Sequence, residues 1–516
     1  MNSAHKLKIL PSLALPSQVK KTLLGNPNHE IQRIVIDFSS PNIAKPFHFG
    51  HLKSTILGNF LANISRFYGH HVIKLNYVGD WGTQYGLLSL GLDEGNQLDS
   101  IKDASGRTVL EKLVSIYVDA NNRAKQDEKF YTQARERFRM MDAEEDAEQL
   151  DKWRLVRSIS LKELIESYST IGLDFDEYEF ESDYARPARE LVEEMKQKGL
   201  VKEVETPDKL DAGANSLCIV EVIKNNKLIQ VPILKSDGTT LYITRDLAAA
   251  IKRHSKHNLD KMLYVVGADQ EKHFHSLKEI VRKVVEEDWV NNLFHVKVGK
   301  VVGMSSRTGK FLLLSKLIDE ATERFIESTK STPTSKVFDS CDIQDVGKQL
   351  AISSLFVYDM RNKRTRNYEF NWDLAMRSDN RSGLQIQGTY ARLCSLSENV
   401  SKERGYAAYE SLDQMDYSED SLRTNYTQDA KELVDCLNEF STVLAESHKA
   451  LDPCPIVNYA FKLCRLTNRA RRNDFLQVLR EPVERISRSR LTLFECSKAQ
   501  LEFIINLIGL KPLKKI

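Results

Sequence analysis

The chain has 516 residues, of which 41% are hydrophobic and 28% charged. That length predicts two or three domains, and the apolar share supports a sizeable buried core and excludes a disordered chain. A formal net charge of +2 and a pI near 8.0 exclude a uniformly basic nucleic-acid binder, so any RNA contact must be carried by a local patch.

The first 29 residues contain no Asp or Glu but carry Lys6, Lys8, Lys20 and Lys21. An acid-free basic start fits an organelle transit segment. A short disordered lead-in fits equally, because no arginine precedes Arg33 and because Pro11 and Pro16 interrupt a long amphipathic helix. Ile31 to Phe38 (IQRIVIDF) is a β-branched run that predicts a strand. The turn-rich stretch SSPNIAKPFHFG follows. From His51 onward Leu52, Ile56, Leu57, Phe60, Leu61, Ile64 and Phe67 recur at helical spacing, and Gly69 ends that pattern. His71 to Val78 reads as a second strand. Strand, glycine-containing turn, helix and strand make a βαβ unit, the beginning of a doubly wound, Rossmann-like parallel sheet in an α/β domain.

Residues of about 100–215 are charged and helical, and they predict an insertion, with the sheet pattern resuming near Ile219. Lys261 to Gly267 (KMLYVVG) is another buried strand. Beyond about residue 345 strands largely vanish and helical stripes take over: Leu433, Val434, Leu437, Phe440, Val443 and Leu444, then Leu501, Phe503, Ile504, Ile505 and Leu507. The expected organisation is a lead segment at 1–30, an α/β domain at 31–345 with its insertion, and an all-α bundle at 346–516. Eight arginines lie between Arg465 and Arg490, a local basic segment in a nearly neutral protein. Seven cysteines are scattered without a C-x-x-C pair, so no zinc site is readable and free thiols in a reducing compartment are expected. No apolar run approaches about 18 residues, so no membrane span is expected.

His48-Phe49-Gly50-His51 sits where the first strand hands over to the first helix. A helix N-terminus presents unpaired N–H groups and partial positive charge, which suits phosphate. Gly50 lets a flat adenine approach the backbone. His48 and His51, three apart, can face one side and donate to phosphate oxygens as negative charge develops. A solvated turn capped by a histidine would show the same four letters.

In this setting the tetrapeptide resembles the H-x-G-H signature of class I aminoacyl-tRNA synthetases. The stretches DFSSPNIAKPFHFGHLKSTILGNF, NYVGDWGTQYG (Asn76 to Gly86), DGTTLYITRDLAAA (Asp237 to Ala250) and YVVGADQEKHF (Tyr264 to Phe274) resemble the arginyl-tRNA synthetases, in the same order along the chain. Arginine is a permanently charged planar fork, so a site selecting it needs carboxylates set for bidentate bonds. Tyr242 and Asp246 are four apart and can share one helix face. The resemblance implies that Asp246 takes the guanidinium and Tyr242 walls the pocket. It further implies that Asp37, Ser40, Asn42 and Gln270 complete the arginine site, that His51 serves both substrates, and that His273 lies near ATP.

The second class I signature, K-M-S-K-S, is altered here to Gly303-Met304-Ser305-Ser306-Arg307-Thr308-Gly309-Lys310. Both lysines of that pattern are missing. Many arginyl enzymes depart in the same way and use a lysine ahead of the first motif, which Lys45 matches. The resemblance therefore implies catalysis by His48, His51, Lys45 and Arg307, with Met304, Ser305 and Ser306 beside ATP; Lys300 and Lys310 are further cation candidates. ATP with Mg²⁺ is the expected cosubstrate, and no protein-bound metal is expected.

The C-terminal third resembles the family's anticodon-binding domain, best in GLQIQGTYARLCSLSEN (Gly383 to Asn399), which implies tRNA contacts at Tyr390 and Arg392. Many family members carry an extra N-terminal domain of about a hundred residues. Only about 30 residues precede the first strand here, which implies reduced tRNA contacts or a truncated chain. The expected partners are L-arginine and tRNA(Arg), the chain is expected to be a monomer, and a mitochondrial matrix location is favoured over the cytoplasm. Adenylation is expected to depend on bound tRNA, and no editing site is expected. The rival readings are another class I synthetase, a small nucleotidyltransferase, and an inactive paralogue that binds tRNA as a module.

Overall fold

The computed structural model describes residues 8–43, 47, 49–94, 107–205, 216–224, 226–235, 238–302, 314–330, 342–377, 381–417 and 427–516. The chain divides into two compact units. One comprises Gln32–Gly58 and His71–Leu314; the other comprises Met1–Ile31, Asn59–His70 and Ser315–Ile516.

The first unit is built on a five-stranded sheet with the order β3-β2-β1-β7-β8. Its strands are β1 (Arg33–Phe38), β2 (His71–Val78), β3 (Glu177–Phe180), β7 (Lys261–Gly267) and β8 (Leu293–Val298). Every pairing is parallel. β1 is central, and Ile34, Val35 and Ile36 are each at most 3% exposed. A strand covered on both faces reads as a continuous apolar run, which is why β1, β2 and β7 stand out in the sequence. One face packs Val35, Leu75 and Met262 against helices Ala185–Gln197, Tyr242–His257 and Glu271–Val285, through Val192, Leu247 and Ile280. On the other face Phe38 lies against Gly58 of helix Phe49–Phe67, so closely that a Cβ there would sit 2.1 Å from the Phe38 ring.

The chain runs from β1 outward through β2 to β3, then returns to the opposite side of β1 with β7. That reversal opens a crevice at the carboxyl ends of β1 and β7, the usual ligand position in such sheets.

The stretch 100–215 differs from its expectation. Helices Arg107–Ala124, Glu128–Asp142 and Ala147–Thr170 are there, but β3 also lies within it and belongs to the main sheet. Glu177-Tyr178-Glu179-Phe180 pairs on one side only, so it needs no apolar run and carries two acids. Ile219 lies in β5 of a separate antiparallel sheet of β4 (Lys202–Glu205), β5 (Ser216–Lys224) and β6 (Lys227–Leu234).

The second unit is helical. Helices Asp342–Met360, Gly383–Arg404, Gln428–Asn438, Phe440–Ala450, Cys454–Arg472 and Glu484–Leu507 bury Leu433, Leu437, Phe440, Leu444, Leu501 and Ile504 at 0% exposure. The expected stripe is thus real but is broken at Glu439 into two helices. Pro11 and Pro16 each open a short helix, Pro11–Ala14 and Pro16–Leu24, as proline does at a first helical position. These helices join this unit through buried Ile9, Ala14 and Val19, and Gln500 Nε2 donates to the Ala14 carbonyl at 2.7 Å. The six described cysteines are free, and no helix among the described residues is long and apolar enough to cross a membrane.

Candidate functional site

The turn leaving β1 is the first part of the site. Ser39 and Ser40 adopt φ of 72° and 42°, a left-handed conformation costly for non-glycine residues and found mostly where the surroundings enforce it. Side chains enforce it here. Ser40 Oγ donates to Asp37 Oδ1 at 2.8 Å, while Ser39 Oγ lies 2.7 Å from the Tyr168 hydroxyl and accepts from Thr55 Oγ1 at 2.8 Å. Thr55 Oγ1 is also 2.7 Å from the His51 carbonyl, and Asn76 Nδ2 donates to Tyr168 at 2.9 Å. A buried chain of hydroxyls therefore ties β1, β2, helix Ala147–Thr170 and the first turn of helix Phe49–Phe67 together.

Asn42 follows in a bridge to Gly79, just past β2. The Ile43 amide donates to the Gly79 carbonyl at 2.9 Å, and the Gly79 amide to the Pro41 carbonyl at 3.0 Å. A Cβ on Gly79 would come within 2.1 Å of Asn42 Oδ1, so a side chain there would have to displace the Asn42 amide. Gly50 and His51 occupy the first turn of their helix, both partly exposed, with the His51 ring stacked on Phe47 at 5.6 Å. Gln270 stands at the start of helix Glu271–Val285, directly after β7.

Helix Tyr242–His257 brings Asp246. Asp246 Oδ2 lies 2.7 Å from His273 Nε2, and the ring of half-exposed Tyr242 lies 4.8 Å from that of His273. Because the carboxylate accepts, Nε2 carries the proton, and His273 orients Asp246. Glu181 also faces this region. Burial raises its carboxyl to about 7; Arg245 pulls it down, at 3.1 Å from Arg245 Nη2 to Glu181 Oε2, and Asp246 pushes it up. Asp80 supports this corner by accepting from the Ser182 amide at 2.9 Å and the Ser182 hydroxyl at 2.7 Å; burial raises it to about 6. Tyr77 OH, Tyr264 OH and His273 Nδ1 are buried without a hydrogen-bond partner. Buried polar atoms are normally satisfied, so three orphans close to these acids fit a pocket that a polar ligand completes.

Asp37 is deeply buried near the end of β1. It is 3% exposed and bonded at both oxygens, to Ser40 and to the Arg253 guanidinium at 2.9 Å. Burial pushes its carboxyl up and Arg253 draws it back. Its position at the end of β1 is as expected, and each oxygen keeps further accepting capacity beside its bond inside the protein.

The profile of the family "tRNA synthetases class I (R), catalytic domain" matches residues 15–372, and that of the "DALR anticodon binding domain" matches residues 386–516. The chain is 33% identical over 482 residues to "Probable arginine--tRNA ligase, mitochondrial" of Mus musculus, covering 93% of this chain and 78% of the relative. It is equally 33% identical over 497 residues to "Arginine--tRNA ligase, cytoplasmic" of Saccharomyces cerevisiae, covering 94% and 77%.

The chain belongs to the arginyl-tRNA synthetase family.

The fold agrees: the arginyl-tRNA synthetase structure from Plasmodium falciparum superposes with a TM-score of 0.75 at 23% identity, covering 97% of this chain and 82% of that one. Of the residues singled out on the arginyl-tRNA synthetase resemblance, the same compact unit holds Asp37, Ser40, Asn42, Gly50, His51, Tyr242, Asp246, Gln270 and His273. His48, Lys45, Met304, Ser305, Ser306, Arg307 and Lys310 lie outside the described residues. Lys300 is described and pairs with Asp269 at 3.2 Å.

In the helical unit, Tyr390 is 1% exposed, and base stacking needs an open ring face, so the structure does not offer this side chain to a nucleotide. Arg392 is exposed and lies close enough to Arg471 for its charge, together with burial and Arg472, to lower the Arg471 pKa. The other arginines of this segment mostly meet acids: Arg469 with Asp429 and Glu432, Arg485 with Asp416, Arg488 with Glu484, Arg490 with Glu481. Sequence reasoning missed Glu179, Glu181, Arg245 and Arg253. Charges on a short edge strand and along a helix look like solvated faces; the one available signal was that Arg253 falls on the apolar stripe of its helix.

Proposed function

We propose that this chain activates L-arginine with ATP and transfers it to tRNA(Arg). The observation that carries the reading is the convergence of Asp246 and Glu181 beside the strained turn and the helix N-terminus at the carboxyl end of the sheet. The guanidinium would lie between Asp246 and Glu181, as two carboxylates suit a forked cation. Ser40, Asn42 and Gln270 would hold the ammonium and carboxylate end. Gly50, His51 and the N–H groups of the first helical turn would receive ATP, with His48, Lys45 and Arg307 supplying further positive charge.

The arginine carboxylate oxygen attacks the α-phosphorus, the bond to the bridging oxygen breaks, and pyrophosphate leaves with the electron pair. The terminal ribose hydroxyl of the tRNA then attacks the activated carbonyl; AMP leaves and the hydroxyl proton is released. No protein nucleophile takes part, so catalysis is positioning plus stabilisation of the leaving pyrophosphate. Mg²⁺ bound with ATP would supply charge neutralisation on the phosphates.

Arg392, Arg471 and Arg472 would meet tRNA phosphates in the helical unit, and the chain would act as a monomer. A mitochondrial location is supported by the mitochondrial relative, while the cytoplasmic relative is equally similar. The direct test is acid-precipitable charging of tRNA(Arg) with labelled arginine. Charging with arginine and not with lysine supports the reading; charging with a different amino acid, or none, overturns it.

A further inference from the structure

Arg253 is the largest fully buried side chain among the described residues, with its side chain 1% exposed. A lone guanidinium there would be strongly destabilising, and removing one partner of such a buried set leaves an uncompensated charge. Two carboxylates from different strands compensate it. Nη1 lies 2.9 Å from Asp37 Oδ2 of β1, and Nε lies 2.7 Å from Glu179 Oε2 of β3. The guanidinium also lies over the Tyr77 ring of β2 at 4.6 Å. One side chain thus reaches three adjacent strands.

Each contact leads to a different part of the proposed pocket. Asp37 accepts from Ser40, which sits in the left-handed turn two residues before Asn42. Glu179 accepts the Tyr184 hydroxyl at 2.8 Å and stands two residues before Glu181. Arg253 itself lies two helical turns after Asp246 on helix Tyr242–His257.

We propose that Arg253 is a positioning residue for amino-acid selection: it fixes the separation between the Ser40–Asn42 turn, at the head end of the substrate, and the Asp246–Glu181 carboxylates, at the guanidinium end. This rests on the arginine-site reading above. Asp37 is then also a strut between Arg253 and the turn. A pocket with two fixed ends measures side-chain length, so loosening the link costs length discrimination before it costs the chemical step.

The test uses the full chain with tRNA(Arg) in ATP–pyrophosphate exchange, comparing wild type, Arg253→Lys and Glu179→Gln. Lysine keeps the charge but lacks the fork that spans two carboxylates. KM for arginine, KM for ATP, the preference for arginine over homoarginine (one methylene longer), and Tm are measured for each. Arg253→Lys is expected to raise KM for arginine about tenfold and to narrow the preference over homoarginine about tenfold, the scale on which one methylene is discriminated. KM for ATP should stay within about twofold, and Glu179→Gln should shift the same ratios less. Variants that lose Tm while both KM values move together and the homoarginine ratio stays at the wild-type value overturn the proposal, leaving Arg253 a core strut. Should Arg253→Lys fail to fold, the homoarginine ratio of Glu179→Gln decides alone: a narrowed ratio supports the proposal and an unchanged one overturns it. A wild-type protein that shows no exchange with arginine sinks the functional reading itself; an active wild type with unaffected variants sinks only the role of Arg253.

Discussion

Glu181 sits where burial and a neighbouring carboxylate oppose its ionisation, and Arg245 only partly offsets them. Its folded value of about 7 lies above the ordinary 4.5, so the folded protein holds this proton more tightly than the unfolded chain. The associated stability is present below about pH 4.5 and is lost as pH rises through 7; Asp80 acts in the same sense between its ordinary 3.8 and about 6. A bound guanidinium requires the ionised carboxylate. KM for arginine should therefore fall about tenfold from pH 6 to pH 8, and Glu181→Gln should flatten that dependence while raising KM at pH 8. Initial rates of pyrophosphate exchange across that range measure both, and a flat wild-type profile would contradict the assignment. Asp246→Asn removes one of the two charges and leaves His273 facing an amide; kcat/KM for arginine should drop about 100-fold or more, with Tm nearly unchanged. That Asp246 and Tyr242 share one helix was legible because their segment has a distinctive pattern. The surroundings of Glu181 and Arg253 were not, because a charged residue reveals its burial only once the turn or helix that carries it is packed.

At the scale of elements, the turn from β1 into helix Phe49–Phe67 is held by side-chain bonds against its own backbone preference. Gly79→Ala would drive a methyl into Asn42 and shift the turn. KM for arginine should rise about tenfold, with a stability loss of about 1–3 kcal/mol, the usual cost of overpacking, readable by thermal melts and steady-state kinetics on the same sample. The N-terminal helices make the opposite case, an element read as a lead segment that the fold uses. Deleting through Gly25 uncovers the apolar neighbours of Ile9 and Val19 and removes one of the partners of buried Gln500, which should cost about 3 kcal/mol or more in a urea melt. β1, β2 and β7 were legible to within two residues, because buried parallel strands are unbroken apolar runs. β3 was not, because an edge strand paired on one side carries no such signal.

At the scale of the whole molecule, a sheet-based unit with the proposed amino-acid and ATP groups and a helical unit with a partly exposed arginine cluster fit an enzyme that brings two small substrates to an RNA. The division into α/β and all-α parts was legible from periodicity. The membership of 1–31 and 59–70 in the helical unit was not, because long-range packing leaves no local pattern. Replacing Arg392, Arg471 and Arg472 with alanine should weaken tRNA binding and lower the salt slope of log Kd by about 2–3, with KM for arginine at saturating tRNA unchanged. The central claim is that this site selects arginine through Asp246. ATP–pyrophosphate exchange across all twenty amino acids, with and without tRNA(Arg), tests it most directly. The account predicts exchange with arginine alone, dependent on tRNA and lost in Asp246→Ala. Exchange with another amino acid, or arginine exchange that survives Asp246→Ala, would contradict it.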